Sequence, residues 1–405
     1  MSAGAVTVVQ SIDTTGSRLP SLPMAVGFYF AARLCVTYLF FQSDPQLGAM
    51  MSFALNLLLF TIVSFYSFGP SPSTLASALR VRCLRWVVAF LSFSLCSLLW
   101  SETVSVGVAF AYWLGMAADV VMVVLLLRTG HVPAVSSSVI KGYVGGACFI
   151  ACVMWLSPTM ADLRPGSDDF FSPNAIAFTC AFGALLAQFL SRSARVWRFP
   201  AIFLAISLLR SLSKTTIAAF IAGELVLLAR DKTVSRRSKM QLLGAAGLVI
   251  AAFWSLIAAY YDIYTNAGNQ AETLTGRIGI WAFVWERSLE RPWIGHGFHS
   301  FRNVIPPFGA FEAWHAHNEL LQQFYAYGLA GILLLIGLYG SFYRQVRRIS
   351  HPSNKTLFLG LIIFIVVRGI GDTERFDLSF PLWSIALFSL MLTALEESSE
   401  GTRWA

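Results

Sequence analysis

Twelve stretches of this chain are apolar over most of the length of a membrane crossing, and no other feature constrains its fold as strongly. They lie near residues 23–42, 47–66, 86–101, 105–127, 142–158, 173–190, 197–211, 214–229, 241–262, 319–341, 356–371 and 379–395. A bilayer core takes roughly 20 apolar residues per helix. Within it every backbone N–H and C=O must be paired inside the protein, which leaves helices as the economical way across. Charged residues make up 12% of the chain, half the roughly 25% usual in a soluble domain, and mean hydropathy is +0.66. These values predict an all-α polytopic membrane protein with about 12 transmembrane helices.

Basic residues set the expected orientation, because Lys and Arg collect on the cytoplasmic side of short loops. Arg80, Arg82 and Arg85 follow the second run, and Arg128 and Lys141 flank the loop after the fourth. Arg192, Arg195 and Arg198 follow the sixth; Arg230, Lys232, Arg236, Arg237 and Lys239 follow the eighth; Arg344, Arg347, Arg348 and Lys355 follow the tenth. Every even-numbered exit is basic, so both termini are expected in the cytoplasm, with residues 1–22 and 396–405 as short tails and no signal peptide. The net charge of +8 is mostly this orientation signal, so no nucleic-acid partner is implied. The six cysteines lie in or beside apolar runs without a CxxC pair, and read as small core residues. No phosphate-binding glycine loop marks a soluble nucleotide-binding domain.

One connection is long. Residues 263–318 join the ninth run to the tenth and are expected to face outward, between membrane domains 23–262 and 319–395. Loops beyond about 15 residues are usually functional or disordered, and this one is too aromatic for disorder. In "TGRIGIWAFVWERSLERPWIGHGF", Ile278, Trp281, Val284, Trp285 and Leu289 recur at helical spacing, as in a helix lying along an interface. Pro292 should stop it, and Gly295 and Gly297 should provide a turn. Four of the chain's six histidines follow, as His296, His299, His315 and His317.

Cations on the expected outer side are equally notable: Arg164, Arg210, Lys214, Arg277, Arg287, Arg291, Arg302, Arg368 and Arg375. Arg210 and Lys214 are four apart and are read as sharing a helix face. Arg368 is placed to pair with Asp372 at the same spacing. Ionisable groups at membrane depth are costly, so they are functional candidates, with interfacial snorkelling as the plain alternative.

The same residues carry a resemblance. "TGRIGIWAFVWERSLERPWIGHGF" followed by "HAHNELLQQFYAYGLAGILLL" resembles the signature of the O-antigen ligase / exopolysaccharide polymerase superfamily, and in particular its ExoQ-like branch. "FFSPNAIA" and "SLSKTTIAAF" are similar to two upstream elements of that family, so the likeness runs over roughly 160–345. It implies a metal-independent, cofactor-free, inverting glycosyltransferase. Its donor would be an oligosaccharide on undecaprenyl pyrophosphate, and its acceptor a glycan hydroxyl at the outer leaflet of the inner membrane. Membrane lipid, a flippase and a chain-length regulator are the further partners implied. The Ser213-Lys214-Thr215 stretch tilts the expectation toward exopolysaccharide polymerase over ligation to lipid A core.

On this reading His317 is the base, since imidazole is the side chain that titrates near neutrality, and His315 orients substrate or phosphate. Arg277, Lys214 and Arg210 would meet the pyrophosphate charge, with Lys214 where the ligase branch has Arg. Asn174 should sit at a helix N-terminus behind Ser172 and Pro173. Asn318, Arg368 and Asp372 complete the expected site. His-x-His with His296 and His299 could supply four nitrogens to zinc, yet no Cys joins them and no HExxH helix is present, so no metal is expected. A lipid-linked-saccharide transporter competes at the level of class, but transporters tend to show two related halves and none is apparent. A metal-dependent membrane hydrolase is the remaining alternative.

The charge pattern makes one direct prediction. With cysteines introduced singly at Asn269 and Ser238, an impermeant thiol reagent on intact cells should label position 269 and spare 238. The reverse pattern would invert the orientation and remove the loop from the outer face.

Overall fold

The structure is a computed structural model that describes residues 22–68, 79–159, 163–166, 171–230, 235–252, 254–255, 258–259, 262, 277–302, 304–307, 313–373 and 378–401. The N-terminal tail, the first part of the long loop with Thr275 and Gly276, and Arg375 lie outside the described residues. The helices are α1 (Leu22–Ala32), α2 (Leu34–Phe40), α3 (Pro45–Tyr66), α4 (Arg82–Ser97), α5 (Val106–Arg128), α6 (Val132–Leu156) and α7 (Pro173–Ser191). They continue as α8 (Arg198–Arg210), α9 (Lys214–Arg230), α10 (Arg236–Ala252), α11 (Arg277–Glu290), α12 (Glu319–Arg348), α13 (Pro352–Gly371) and α14 (Ser379–Gly401). Among the described residues the one β feature is a single bridge between Thr159 and Pro165.

Each apolar run in the sequence coincides with a helix, the first with the α1–α2 pair. Among the described residues seven helices are long and apolar enough to cross a bilayer, and the pair, bent by 65°, makes eight if counted as one span. The chain is therefore a multi-span membrane protein. Against the expected twelve, α4, α8 and α9, with 16, 13 and 17 residues, fall below the usual crossing length, and α10 is described only as far as Ala252.

The core is assembled from helix pairs. α1 lies against α6, α9 against α13, α7 against α6 and α8, and α12 against α4 and α13. Where α1 meets α6, the backbones approach so closely at Gly142 that a Cβ would collide with the Met24 carbonyl group, the small-residue packing that membrane helices favour. At the α1–α2 break, Arg33 donates to Asp119 Oδ2 at 2.6 Å, and Ser379 Oγ donates to the same oxygen at 3.1 Å. Asp119 is fully buried in α5, so this pair ties the bent first span to α5 and the start of α14. A second, smaller core of Ile280, Val284, Phe301, Ile305, Ala313, Ala316 and Tyr325 packs the long loop onto the first turns of α12. Of the cysteines, Cys35, Cys83 and Cys180 are buried as expected, whereas Cys96 and Cys152 are exposed.

Candidate functional site

The last carbonyls of a helix have no partner further along it, and those of α13 are claimed by side chains from elsewhere. Asn318 Nδ2 donates to the Ile370 carbonyl at 2.9 Å. Arg277 Nη1 donates to the Gly371 carbonyl and, at 3.2 Å, to Thr215 Oγ1. A cation suits this end of a helix, where the carbonyl dipoles leave partial negative charge. Close approach is what allows it. A Cβ on Gly371 would lie 2.7 Å from Thr215 Cγ2, and one on Gly369 would lie 2.7 Å from Glu319 Oε2. The first turns of α9, α11 and α12 thus converge on the final turn of α13.

The histidine pair faces that turn. His317 Nδ1 lies 3.2 Å from Asp372 Oδ1, while Arg368 Nη2 lies 3.4 Å from Oδ2. Burial alone would raise the Asp372 carboxyl; the Arg368 guanidinium, with His317 and His315, outweighs it and holds the group below the usual carboxylate range. An ionised carboxylate only accepts, so in this contact His317 Nδ1 carries the proton. The His315 and His317 ring centroids are 4.1 Å apart, and His315 Nδ1 accepts from the His317 backbone N–H at 3.3 Å. His317 has φ of 50°, a left-handed conformation that costs a β-carbon residue on the order of 1 kcal/mol. Neighbours hold it there. Trp281 Nε1 donates to the Ala316 carbonyl at 2.9 Å, Ala316 N–H donates to Gln322 Oε1 at 2.8 Å, and Asn318 caps α12 by accepting from Leu321 N–H at 3.0 Å.

A break in α12 fixes the loop that carries these residues. At Gly328, with φ of 62° and ψ of −152°, the helix loses the bonds that Leu329 and Ala330 would make to Tyr325 and Ala326. The turn after α11 takes all four groups. Leu329 and Ala330 donate to the carbonyls of Pro292 and Trp293 at 2.8 and 3.2 Å, and His296 and Gly297 donate to those of Tyr325 and Ala326 at 3.0 and 2.8 Å. Gly295 and Gly328 are required here, because a side chain at either would strike the opposing backbone. The sequence correctly marks the turn, but the run at 319–341 reads as unbroken.

The remaining candidates sort into those the fold brings together and those it does not. Lys214 opens α9 directly before Thr215, the residue that Arg277 bonds; its own side chain is exposed, and the charge it feels is that of Arg164. Ser213 Oγ donates to Asn174 Oδ1 at 2.8 Å, which joins the N-terminus of α7 to that of α9; Ser172 occupies the N-cap position, though it makes no side-chain capping bond. Arg210 departs from expectation. It ends α8, Leu212 turns the chain with φ of 56°, and Lys214 starts a new helix, so the two do not share a face. Arg210 donates to the Leu163 carbonyl at 3.1 Å and covers Trp155.

His296 and His299 serve the loop. His296 is buried, its ring nitrogens 2.8 Å from Glu102 Oε2 and 2.9 Å from the Arg287 carbonyl. His299 stacks on Tyr112 and is pushed down to about 4 by burial and then by the Arg302 charge. Sequence reasoning singled out the stretches that hold Thr215 and Trp281 but gave no role to the Thr215 hydroxyl or the Trp281 ring nitrogen, and it missed the Gly371 carbonyl and Thr373, whose buried Oγ1 has no partner among the described residues. Nothing in the local sequence marks these contacts.

His315, His317 and Asp372 present ligand atoms within 4.8 Å of one another, so three donors could in principle reach one ion. The Arg368 guanidinium on the same carboxylate supplies positive charge that works against a dication there.

Two comparisons with known proteins bear on this geometry. The family model described as O-antigen ligase matches residues 199–336, a span that holds Lys214, Arg277, His315 and His317 but stops short of Arg368 and Asp372. The exopolysaccharide production protein ExoQ of Rhizobium meliloti (strain 1021) is 25% identical over 313 residues, covering 69% of this chain and 70% of the relative. Over these spans the chain is similar to O-antigen ligases and to ExoQ.

The Asp372–Arg368 pair yields a sign-specific prediction. A carboxyl depressed in the folded state contributes stability that is complete above its unfolded value, about 3.9, and is lost only as pH falls below that. Asp372→Asn leaves Arg368 buried without its counter-charge and should destabilise by about 3 kcal/mol. Unfolding in detergent should show this difference unchanged from pH 8 to pH 5. A deficit that disappears within that window would contradict the assignment.

Proposed function

We propose that the chain is a membrane glycosyltransferase that polymerises oligosaccharide repeat units carried on undecaprenyl pyrophosphate. It would work at the outer leaflet of the bacterial inner membrane, with the site facing the periplasm. The observation that carries the reading is the histidine–carboxylate pair, His317 with Asp372, set beside the cationic first turns of α9 and α11.

In the proposed step an acceptor hydroxyl gives its proton to His317 Nε2, and its oxygen bonds the anomeric carbon. The bond from that carbon to the phosphate oxygen breaks on the opposite face, so the configuration inverts, and the electron pair departs with undecaprenyl pyrophosphate. The negative charge that grows on the leaving group meets Arg277 and Lys214. Fixed cations at that position typically contribute about 10²–10³ in rate each. Arg277 is well suited because one nitrogen, Nη1, anchors it to Gly371 and Thr215, which keeps the rest of the fork in a set orientation. Asp372 and Asn318 act through His317 by fixing its tautomer and position, and Asn174 acts through the α9 turn. No metal or cofactor enters the step.

Ligation of the glycan to lipid A core is the second reading, favoured by the family description of O-antigen ligase over residues 199–336. The ExoQ likeness, which extends over more of the chain, favours polymerisation. Purified protein given lipid-linked repeat units alone distinguishes them: a product ladder means polymerase, and no product until another acceptor is added means ligase. His317→Ala should abolish turnover while donor binding persists, and His315→Ala should reduce it less. Arg277→Ala and Lys214→Ala should each lower transfer by about 10²–10³, with Lys214→Arg active. Retained activity in His317→Ala, or chelator loss reversed by zinc, would replace the base with a metal site.

A further inference from the structure

Beside the histidine pair lies a wall that the proposed step leaves unused. Trp314, the residue before His315, is covered by the Arg302 guanidinium, with 4.4 Å from its carbon to the ring centroid. The other side of the wall is Tyr112 of α5, whose hydroxyl accepts from Arg302 Nη1 at 2.8 Å. Tyr112 in turn stacks on His299, centroids 4.9 Å apart at 20°, and Thr103 Oγ1 lies 3.0 Å from His299 Nδ1. Tyr112 and Trp314 therefore hold one guanidinium between them, and His299, with Thr103, backs Tyr112. Arg302, Trp314, Tyr112 and His299 are all partly buried, none of them fully.

Arg302 belongs with Arg210 and Arg277 among the outer cations held by groups other than a carboxylate. Arg33, Arg287, Arg291 and Arg368 each have a carboxylate within 4.0 Å. Among the described residues Arg302 has none. We propose that Arg302 is a specificity-determining residue that reads a carboxylate on the glycan, a uronic acid unit lying along the Trp314–Tyr112 wall next to His315. The planar fork of Arg matches a carboxylate with two parallel hydrogen bonds. Its orientation is already fixed by the two rings, so little rotamer freedom is lost on binding. Half-burial limits screening of the pair. A sugar whose carboxylate has been reduced to a hydroxyl would leave that fork poorly matched, and binding groups left unpaired discriminate strongly.

The proposal rests on the glycan-transferring reading for the identity of the ligand, so its test measures binding rather than transfer. Full-length protein in nanodiscs is titrated calorimetrically with glucuronate- and galacturonate-containing trisaccharides and with their carboxyl-reduced counterparts. At least one acidic trisaccharide should bind about tenfold or more tightly than its reduced partner, the scale of one charge-assisted hydrogen bond. Arg302→Gln should bring the two within about twofold, and Arg302→Lys, which keeps the charge but not the fork, should lose most of the preference. A merely structural Arg302 would lower thermal stability without changing the acid-to-reduced ratio.

Inorganic phosphate at matched concentration should not displace the acidic glycan. Equal binding of both forms, a preference retained in Arg302→Gln, or displacement by phosphate would each overturn the proposal. If the preference holds while lipid-linked repeats are never transferred, the transfer reading fails and the carboxylate site stands.

Discussion

The end of α13 is where the architecture is decided. Helix termini leave carbonyls unsatisfied, and at the edge of a membrane core each one left unpaired is expensive. Here the Ile370 and Gly371 carbonyls are met by Asn318 and Arg277, and Asp372, just past them, is met by His317 and Arg368. Satisfying one helix end therefore draws α9, α11 and α12 together. It also sets Arg277 and His317 side by side, which no contact within the long loop would achieve.

The break in α12 plays the complementary part. Opening the helix at Gly328 exposes two donors and two acceptors, and the Pro292–Gly297 turn pairs with all of them. The loop is consequently held by backbone geometry on one side and by the Ile280–Tyr325 core on the other. That rigid support is what sustains the left-handed His317, since a strained residue persists only where its surroundings over-determine it. The left-handed His317 and its contact with the Asp372 carboxylate are thus consequences of one packing arrangement.

Much of this was legible in the sequence, and the failures have physical causes. The all-helical, multi-span class follows from apolar length, though seven or eight of the twelve expected spans are long enough among the described residues, and the Arg368–Asp372 pairing follows from i, i+4 spacing. His315, His317, Asn318 and Arg277 stand out as polar residues in a greasy chain. The partnership of His317 with Asp372 does not, because 55 positions separate them and nothing local signals the contact. The expectation that Arg210 shares a face with Lys214 fails because i, i+4 spacing implies a shared face only inside one helix, and the chain turns at Leu212 between two helices. The Gly328 break is hidden because glycine in an apolar run resembles ordinary membrane-helix packing. The roles of His296 and His299 are settled by Glu102 and Tyr112, which lie far upstream.

The claim that the α13 terminus organises the site is tested most directly at Gly371. An alanine there would place its Cβ 2.7 Å from Thr215 Cγ2 and push apart the contact that seats Arg277. Gly340, where a Cβ would meet nothing within 4 Å, is the matched control. Transfer of lipid-linked repeats should fall by about a hundredfold in Gly371→Ala, the scale expected for a displacement near 1 Å, with thermal stability nearly unchanged and Gly340→Ala indistinguishable from the parent. Parental transfer rates in Gly371→Ala would contradict the account.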